Sequence, residues 1–230
     1  HDMRNPTNTI SIALEALEDS GNNPFNKFQE EILGIIRESA NRLFHLINNY
    51  LDFSQLENDK LVLDIGPVEL AEIFESCMRM ADIQCRAKGV TLIRIVEGDD
   101  FGIIADGERL RRLFDNLIGN AVKYTPRGGK VEAQLARQDD AILFHITDTG
   151  YGFDTNVARQ LFNKYHRLPG QASLKVAGTG LGLAIAREIV TAHGGSITGY
   201  SDGPNLGATF NVQIPVGGAA RESEKTGVPG

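Results

Sequence analysis

Apolar side chains at Phe28, Ile32, Ile35, Leu43, Leu46, Tyr50 and Phe53 recur close to a heptad rhythm, broken by the polar Ser39. A stripe so narrow on a helix so long has to be covered by other helices. Ahead of it, from His1 to about Asp19, Ile10, Ala13, Leu14 and Leu17 lie at helical spacing. Ser20-Gly21-Asn22-Asn23-Pro24 reads as the break between the two helices. The shorter helix cannot cover the longer seam alone, whereas two such hairpins packed together make a four-helix bundle. An isolated coiled-coil spacer is the alternative. The short apolar helix favours the bundle, and with it a homodimer.

The rhythm stops between Asn58 and Pro67, which places the domain boundary there. The expected organisation is a helical hairpin over 1–58, a linker or hinge over 59–67, a second domain over 68–216 and a disordered tail over 217–230. A chain of 230 residues suffices for two such modest domains. In the second, 68–87 reads as helical, 91–97 and 101–105 as extended, and 107–124 as helical. Strands over 130–137 and 141–148 form a hairpin about Gln138-Asp139-Asp140. A helix over 181–192 and strands over 196–200 and 208–214 close the domain. The fold class is therefore α+β: the helical hairpin, then a two-layer α/β sandwich with helices over one face of a mixed sheet.

The net charge of −7, with no basic cluster, argues against a nucleic-acid partner. No apolar run approaches the roughly 18 residues a membrane helix needs, and the polar opening is unlike a signal peptide. Cys77 and Cys85 lack the paired spacing of a zinc site and fit core thiols in a reducing cytoplasm.

Three places carry chemistry. On the 107–124 helix, Asn116, Asn120 and Lys123 follow at gaps of four and three, so they share one stripe beside the apolar Leu110, Leu113, Leu117 and Ala121. Such a stripe is either a solvated polar edge or a ligand-facing one: a carboxamide oxygen suits Mg²⁺ and an ammonium suits phosphate. On the 141–148 strand, Ile142, Phe144 and Ile146 share a face that ends in Asp148, and Thr149-Gly150-Tyr151-Gly152 follows. A buried carboxylate there can accept from an exocyclic amine such as adenine's, with the glycines letting backbone approach a flat ligand. His145 points to the other face and is read as non-functional. Gly178-Thr179-Gly180-Leu181-Gly182-Leu183 opens a helix, exposing backbone N–H groups and the positive dipole end to phosphate. Upstream of it, 163–177 reads as a mobile lid bearing Lys164, His166 and Arg167.

These elements resemble the boxes of the histidine kinases. Asn116-Leu-Ile-Gly-Asn120-Ala-Val-Lys123-Tyr124-Thr125-Pro126 is similar to their N box, Asp148-Thr-Gly150-Tyr-Gly152 to the G1 box, and Gly178 through Leu183 to the G2 box. Leu161 through Arg167 resembles the F box, Gly207-Ala208-Thr209-Phe210 the closing glycine-threonine element, and His1-Asp2-Met3-Arg4-Asn5-Pro6 the H box. Six elements in family order span His1 to about Pro215.

The resemblance implies a Bergerat-type ATP-binding domain, with ATP and Mg²⁺ as cofactors. Asn120 would hold Mg²⁺, Asn116 would assist at the phosphates, Lys123 and Lys164 would meet phosphate oxygens, and Tyr124 would pack on the adenine or ribose. Asp148 would take the adenine amine with Thr209 nearby, while Gly178, Thr179, Gly180, Leu181 and Gly182 wrap the phosphates. Arg167 would stabilise charge on the moving phosphoryl group. His1 would be the phospho-acceptor, Asp2 its activating carboxylate and Asn5 the residue that positions water for dephosphorylation. Asp2 departs from the family's more frequent glutamate and reaches one methylene less. The implied partners are a second copy, a response regulator's receiver domain and an upstream sensor domain, in a cytoplasmic protein whose parent is soluble or membrane-anchored.

Rival readings are an ATPase of the same fold, an anti-sigma-type serine kinase, and a dimeric pseudokinase scaffold that binds ATP without autophosphorylation. Gyrase places a catalytic carboxylate four residues before its Mg²⁺-binding asparagine. Here that position is Asn116, a poor base, and Asp115 lies about 100° around the helix. The H box and helical hairpin argue against the anti-sigma kinase, and the intact nucleotide boxes against the scaffold.

Overall fold

The computed structural model describes Lys27, Glu30, residues 32–36, Ala40, Leu43, and residues 63–163 and 180–217. The chain divides into two compact units, His1–Lys60 and Leu61–Gly230. In the first, every described residue is helical, as the heptad rhythm requires. Ala40 is buried there, whereas Ile32, Ile35, Ile36 and Leu43 stand 40–64% exposed in the single chain. No helix among the described residues is long and apolar enough to cross a membrane.

The second unit starts with a strand rather than a helix. β1 (Gly66–Glu69) pairs antiparallel with β3 (Gly102–Ala105) in a two-stranded sheet. The expected helix from residue 68 therefore begins two residues later, and Gly66 and Pro67 leave the expected linker for a strand. The reason is local: Glu69 has extended geometry and its carboxylate accepts from the Ala71 N–H at 3.4 Å, capping α1 (Leu70–Lys88). Helix α1 ends at Gly89, whose φ of 73° supplies the left-handed C-cap.

β2 (Thr91–Glu97), β4 (Lys130–Gln138), β5 (Ala141–Asp148), β7 (Ala208–Pro215) and β6 (Ser196–Tyr200) form a five-stranded sheet in the order β2-β4-β5-β7-β6. Only the β2–β4 pair is parallel. Period-two alternation fixes the covered face: Val131, Ala133 and Leu135 of β4, Ile142, Phe144 and Ile146 of β5, and Phe210, Val212 and Ile214 of β7 are all buried. On the open face His145 meets Asn211, Nδ1 to Oδ1, at 2.6 Å, away from the covered side as its parity requires.

Helix α2 (Gly107–Tyr124) packs against both α1 and α3 (Gly182–Ala192). Its buried residues include Leu110, Leu113, Leu117 and Ala121, the stripe read from the sequence. Phe114 lies 4.7 Å from Phe144 and 5.9 Å from Phe74, ring centre to ring centre, so one aromatic cluster joins α2, β5 and α1. Lys88, at the end of α1, donates through Nζ to the carbonyls of Val122 and Lys123 at 2.8 and 2.7 Å. These are last-turn carbonyls that α2 itself leaves unpaired. Lys88→Met, which keeps the stem and loses the donors, is expected to destabilise the unit by about 1–2 kcal/mol in urea unfolding.

Candidate functional site

The polar stripe of α2 runs along the side that faces the start of α3. Asn116, Asn120, Lys123 and Tyr124 are all half-buried. A Cβ added to Gly182, the first residue of α3, would lie 3.3 Å from Asn116 Oδ1 and 3.9 Å from Asn120 Nδ2. The Asn116 amide nitrogen is buried and has no hydrogen-bond partner. No side chain among the described residues caps α3, whose N-cap is Leu181. The start of α3 thus lies beside both asparagines of the stripe, and Asn116 carries an amide donor that is buried and unsatisfied. A buried donor left without an acceptor costs about 1–3 kcal/mol, and a helix N-terminus favours negative charge, so an acceptor-rich ligand suits the Asn116 amide and the start of α3. Gly180, with φ of 73°, turns the chain into this helix.

At the end of the covered face of β5, Asp148 is buried and accepts from the Gly150 N–H at 2.8 Å. Val131 and Ala208 flank it in register on β4 and β7. Burial among these apolar neighbours pushes its carboxyl up from 3.8 to about 6, against the opposing backbone donors of Gly150 and Ala208. At neutral pH it is still an anion, with strong acceptor character in a dry setting.

The glycines after Asp148 are required by the packing of the loop itself. A Cβ on Gly150 would stand 2.3 Å from the Tyr124 carbonyl oxygen, and one on Gly152 would stand 2.3 Å from that of Gly203. Protein backbone fills the room where these side chains would begin. Tyr151 N–H donates to the Tyr124 carbonyl at 3.2 Å, which fastens the loop to the end of α2. Ser201, buried and unforeseen from the sequence, fastens its other side. Its hydroxyl donates to the Gly207 carbonyl at 2.6 Å and accepts from the Phe153 N–H at 3.1 Å.

Thr209 requires a correction. It pairs with Thr147, the two hydroxyl oxygens 3.0 Å apart, on the open face of the sheet. Asp148 is on the covered face, where its β7 neighbour is Ala208. Asp115 is exposed and turned toward α1, where it contributes, after burial, to raising the Cys77 thiol to about 12. That places it on a different side of α2 from Asn116. Lys123 Nζ sits 4.9 Å above the Tyr124 ring. His1, Asp2, Asn5, Lys164, Arg167, Gly178 and Thr179 lie outside the described residues.

Residues 105–218 match the family model of histidine kinase-, DNA gyrase B- and HSP90-like ATPases, and residues 1–59 match that of the His kinase A (phospho-acceptor) domain. The chain belongs to the sensor histidine kinases. The chain is 32% identical over 217 residues to the circadian input-output histidine kinase CikA of Synechococcus elongatus, covering 94% of the chain and 29% of that protein. It is 33% identical over 220 residues to the signal transduction histidine-protein kinase BarA of Escherichia coli, covering 93% and 23%. The chain thus spans less than a third of either relative. Among solved structures, full-length ShkA in complex with AMPPNP aligns with a TM-score of 0.72 at 27% identity, over 95% of this chain and 45% of that one. The histidine kinase ThkA in complex with the response regulator TrrA shares the fold, with a TM-score of 0.64 at 20% identity over 94% of this chain and 59% of that one. Asn116, Asp148 and α3 all fall within the residues matched to the ATPase family model.

Proposed function

We propose that this histidine kinase binds ATP in its Leu61–Gly230 unit and transfers the γ-phosphoryl group to an imidazole nitrogen of His1, releasing ADP. The observation that carries the reading is the buried, unsatisfied Asn116 amide on a polar stripe that faces the start of α3. A triphosphate would supply the acceptor that the Asn116 amide lacks. Asp148 would accept from the adenine amine, with Tyr124 against the base and Lys123 and Lys164 on phosphate oxygens. Among the described residues no three His, Cys, Asp or Glu side chains gather for a metal. That fits Mg²⁺, which is commonly held by one or two protein oxygens together with substrate phosphates. Asn120 would be its protein ligand, and the ion would neutralise phosphate charge.

Transfer of this kind rests on positioning and charge stabilisation. A neutral amide at Asn116 is a poor base toward water, so the site would keep ATP intact for an external nucleophile. Asp2 would orient the His1 ring, Arg167 would meet charge on the moving group, and Gly178, Thr179 and Gly180 would enclose the phosphates. In this reading, residues 59–65 form the hinge and residues 1–58 make the dimer. A response regulator's receiver aspartate would then take the phosphoryl group from His1, Asn5 would serve a phosphatase step, and an upstream sensor domain would set the balance. The reading places this part of the protein in the cytoplasm, where ATP is available.

Incubated with γ-labelled ATP and Mg²⁺, the protein is expected to acquire acid-labile, base-stable label that disappears in His1→Gln and in Asn120→Asp. Wild-type protein that binds ATP and stays unlabelled would leave only a nucleotide-binding scaffold.

A further inference from the structure

Helices α2 and α3, whose facing surfaces carry Asn116 and Gly182, are tied at their other ends by a buried histidine. His193 follows α3 and has no exposed surface. The backbone N–H of Asp106 donates to its Nε2 at 3.0 Å. That bond requires Nε2 to be unprotonated, so the ring carries its proton on Nδ1, which donates to the Ile189 carbonyl at 2.7 Å. Burial also favours the neutral ring. Asp106 is in turn the N-cap of α2. One carboxylate oxygen accepts from the Arg109 N–H and the other from the Asp64 N–H, each at 3.0 Å.

We propose that His193 and Asp106 are positioning residues for the nucleotide site, their bond setting the spacing between α2 and α3 and so between Asn116 and Gly182. Asn116 lies ten residues into α2 from this tie, about 15 Å along the axis, so neither residue touches a nucleotide bound there. The tie acts at the start of α2, whose buried face packs against both α1 and α3. The inference rests on the nucleotide-binding reading above and goes beyond it by naming what holds the gap open to the right width.

Two substitutions separate the cross-helix bond from the local one. His193→Gln can place an amide oxygen near the Nε2 position and keep the acceptor for Asp106. His193→Asn can place an amide nitrogen near Nδ1 and keep only the donor to Ile189. The measurement is the Kd for Mg·AMPPNP by calorimetry, on proteins shown to unfold cooperatively above the assay temperature. His193→Asn is expected to weaken binding by about tenfold, the scale of one lost buried hydrogen bond, with His193→Gln within about twofold of wild type. Equal losses in both variants, no loss in either, or a greater loss in His193→Gln would overturn the inference. If His193→Asn does not fold, His193→Gln decides alone: retained affinity supports the tie, and a tenfold loss removes it. Wild-type protein that binds no nucleotide would instead overturn the functional reading itself.

Discussion

Replacing Asp148 with asparagine is expected to make the Leu61–Gly230 unit more stable at pH 7.5 while weakening its ATP binding ten- to a hundredfold, about the scale of one charged hydrogen bond. The carboxyl is raised from 3.8 to about 6 by burial. A raised carboxyl contributes most favourably below its unfolded value, where it is protonated in both states, and that contribution is lost as the pH climbs through about 6. Above that point the folded protein holds a charge that the unfolded chain would hydrate better. The difference is on the order of 2–3 kcal/mol. Asparagine keeps an oxygen for the Gly150 N–H and removes the charge, so its urea midpoint should exceed that of wild type at pH 7.5 and converge with it near pH 4. In wild type the same group should make ATP affinity decline as the pH drops through about 6. An unchanged midpoint at pH 7.5 would mean that Asp148 is far better solvated than its apolar neighbours imply.

Gly207→Ala is expected to come close to unfolding the unit. Gly207 has φ of 75°, and a Cβ there would stand 1.9 Å from the Asp148 carbonyl oxygen and 3.1 Å from the Thr149 Cα. Both neighbours are backbone in the sheet and its loop, so neither can swing aside. Left-handed strain adds about 1 kcal/mol, and forcing the loop off β5 also breaks the Gly207 N–H bond to the Gly150 carbonyl. A loss of roughly 4 kcal/mol or more is expected in guanidinium unfolding, against typical domain stabilities of about 5–15 kcal/mol. Gly119→Ala is the contrast: it sits in α2 with nothing within 4 Å of the added methyl and should gain up to about 1 kcal/mol. A Gly207→Ala protein as stable as Gly119→Ala would refute the loop stacking.

What could be read beforehand was whatever a single element encodes. The α2 stripes and the β5 face ending in Asp148 follow from periods of 3.6 and 2, and those periods survive folding because both elements are half-buried. The alternation of Ala208, Phe210, Val212 and Ile214 also places Thr209 on the open face. This parity runs against the resemblance of the glycine-threonine pair, which sets Thr209 beside Asp148. Other features had no local trace. His193 is defined by a partner 87 residues away, and Ser201 by carbonyls that converge only after the 201–207 turn has closed on the 149–153 loop. β1 is four residues long and owes its extended form to β3, which no pattern within Gly66–Glu69 announces.

The order of strands in the sheet also has a bearing on synthesis. The β4–β5 hairpin closes through a two-residue turn, whereas Asp148 meets its β7 neighbour Ala208 sixty residues later. Contacts so distant in the chain form late, because the intervening loop must close first. A nascent chain on the ribosome can hold α2 and the hairpin while Asp148 still lacks its neighbouring strand and Asp106 its histidine. The apolar surroundings of Asp148 are therefore complete only once the last strand of the sheet has emerged.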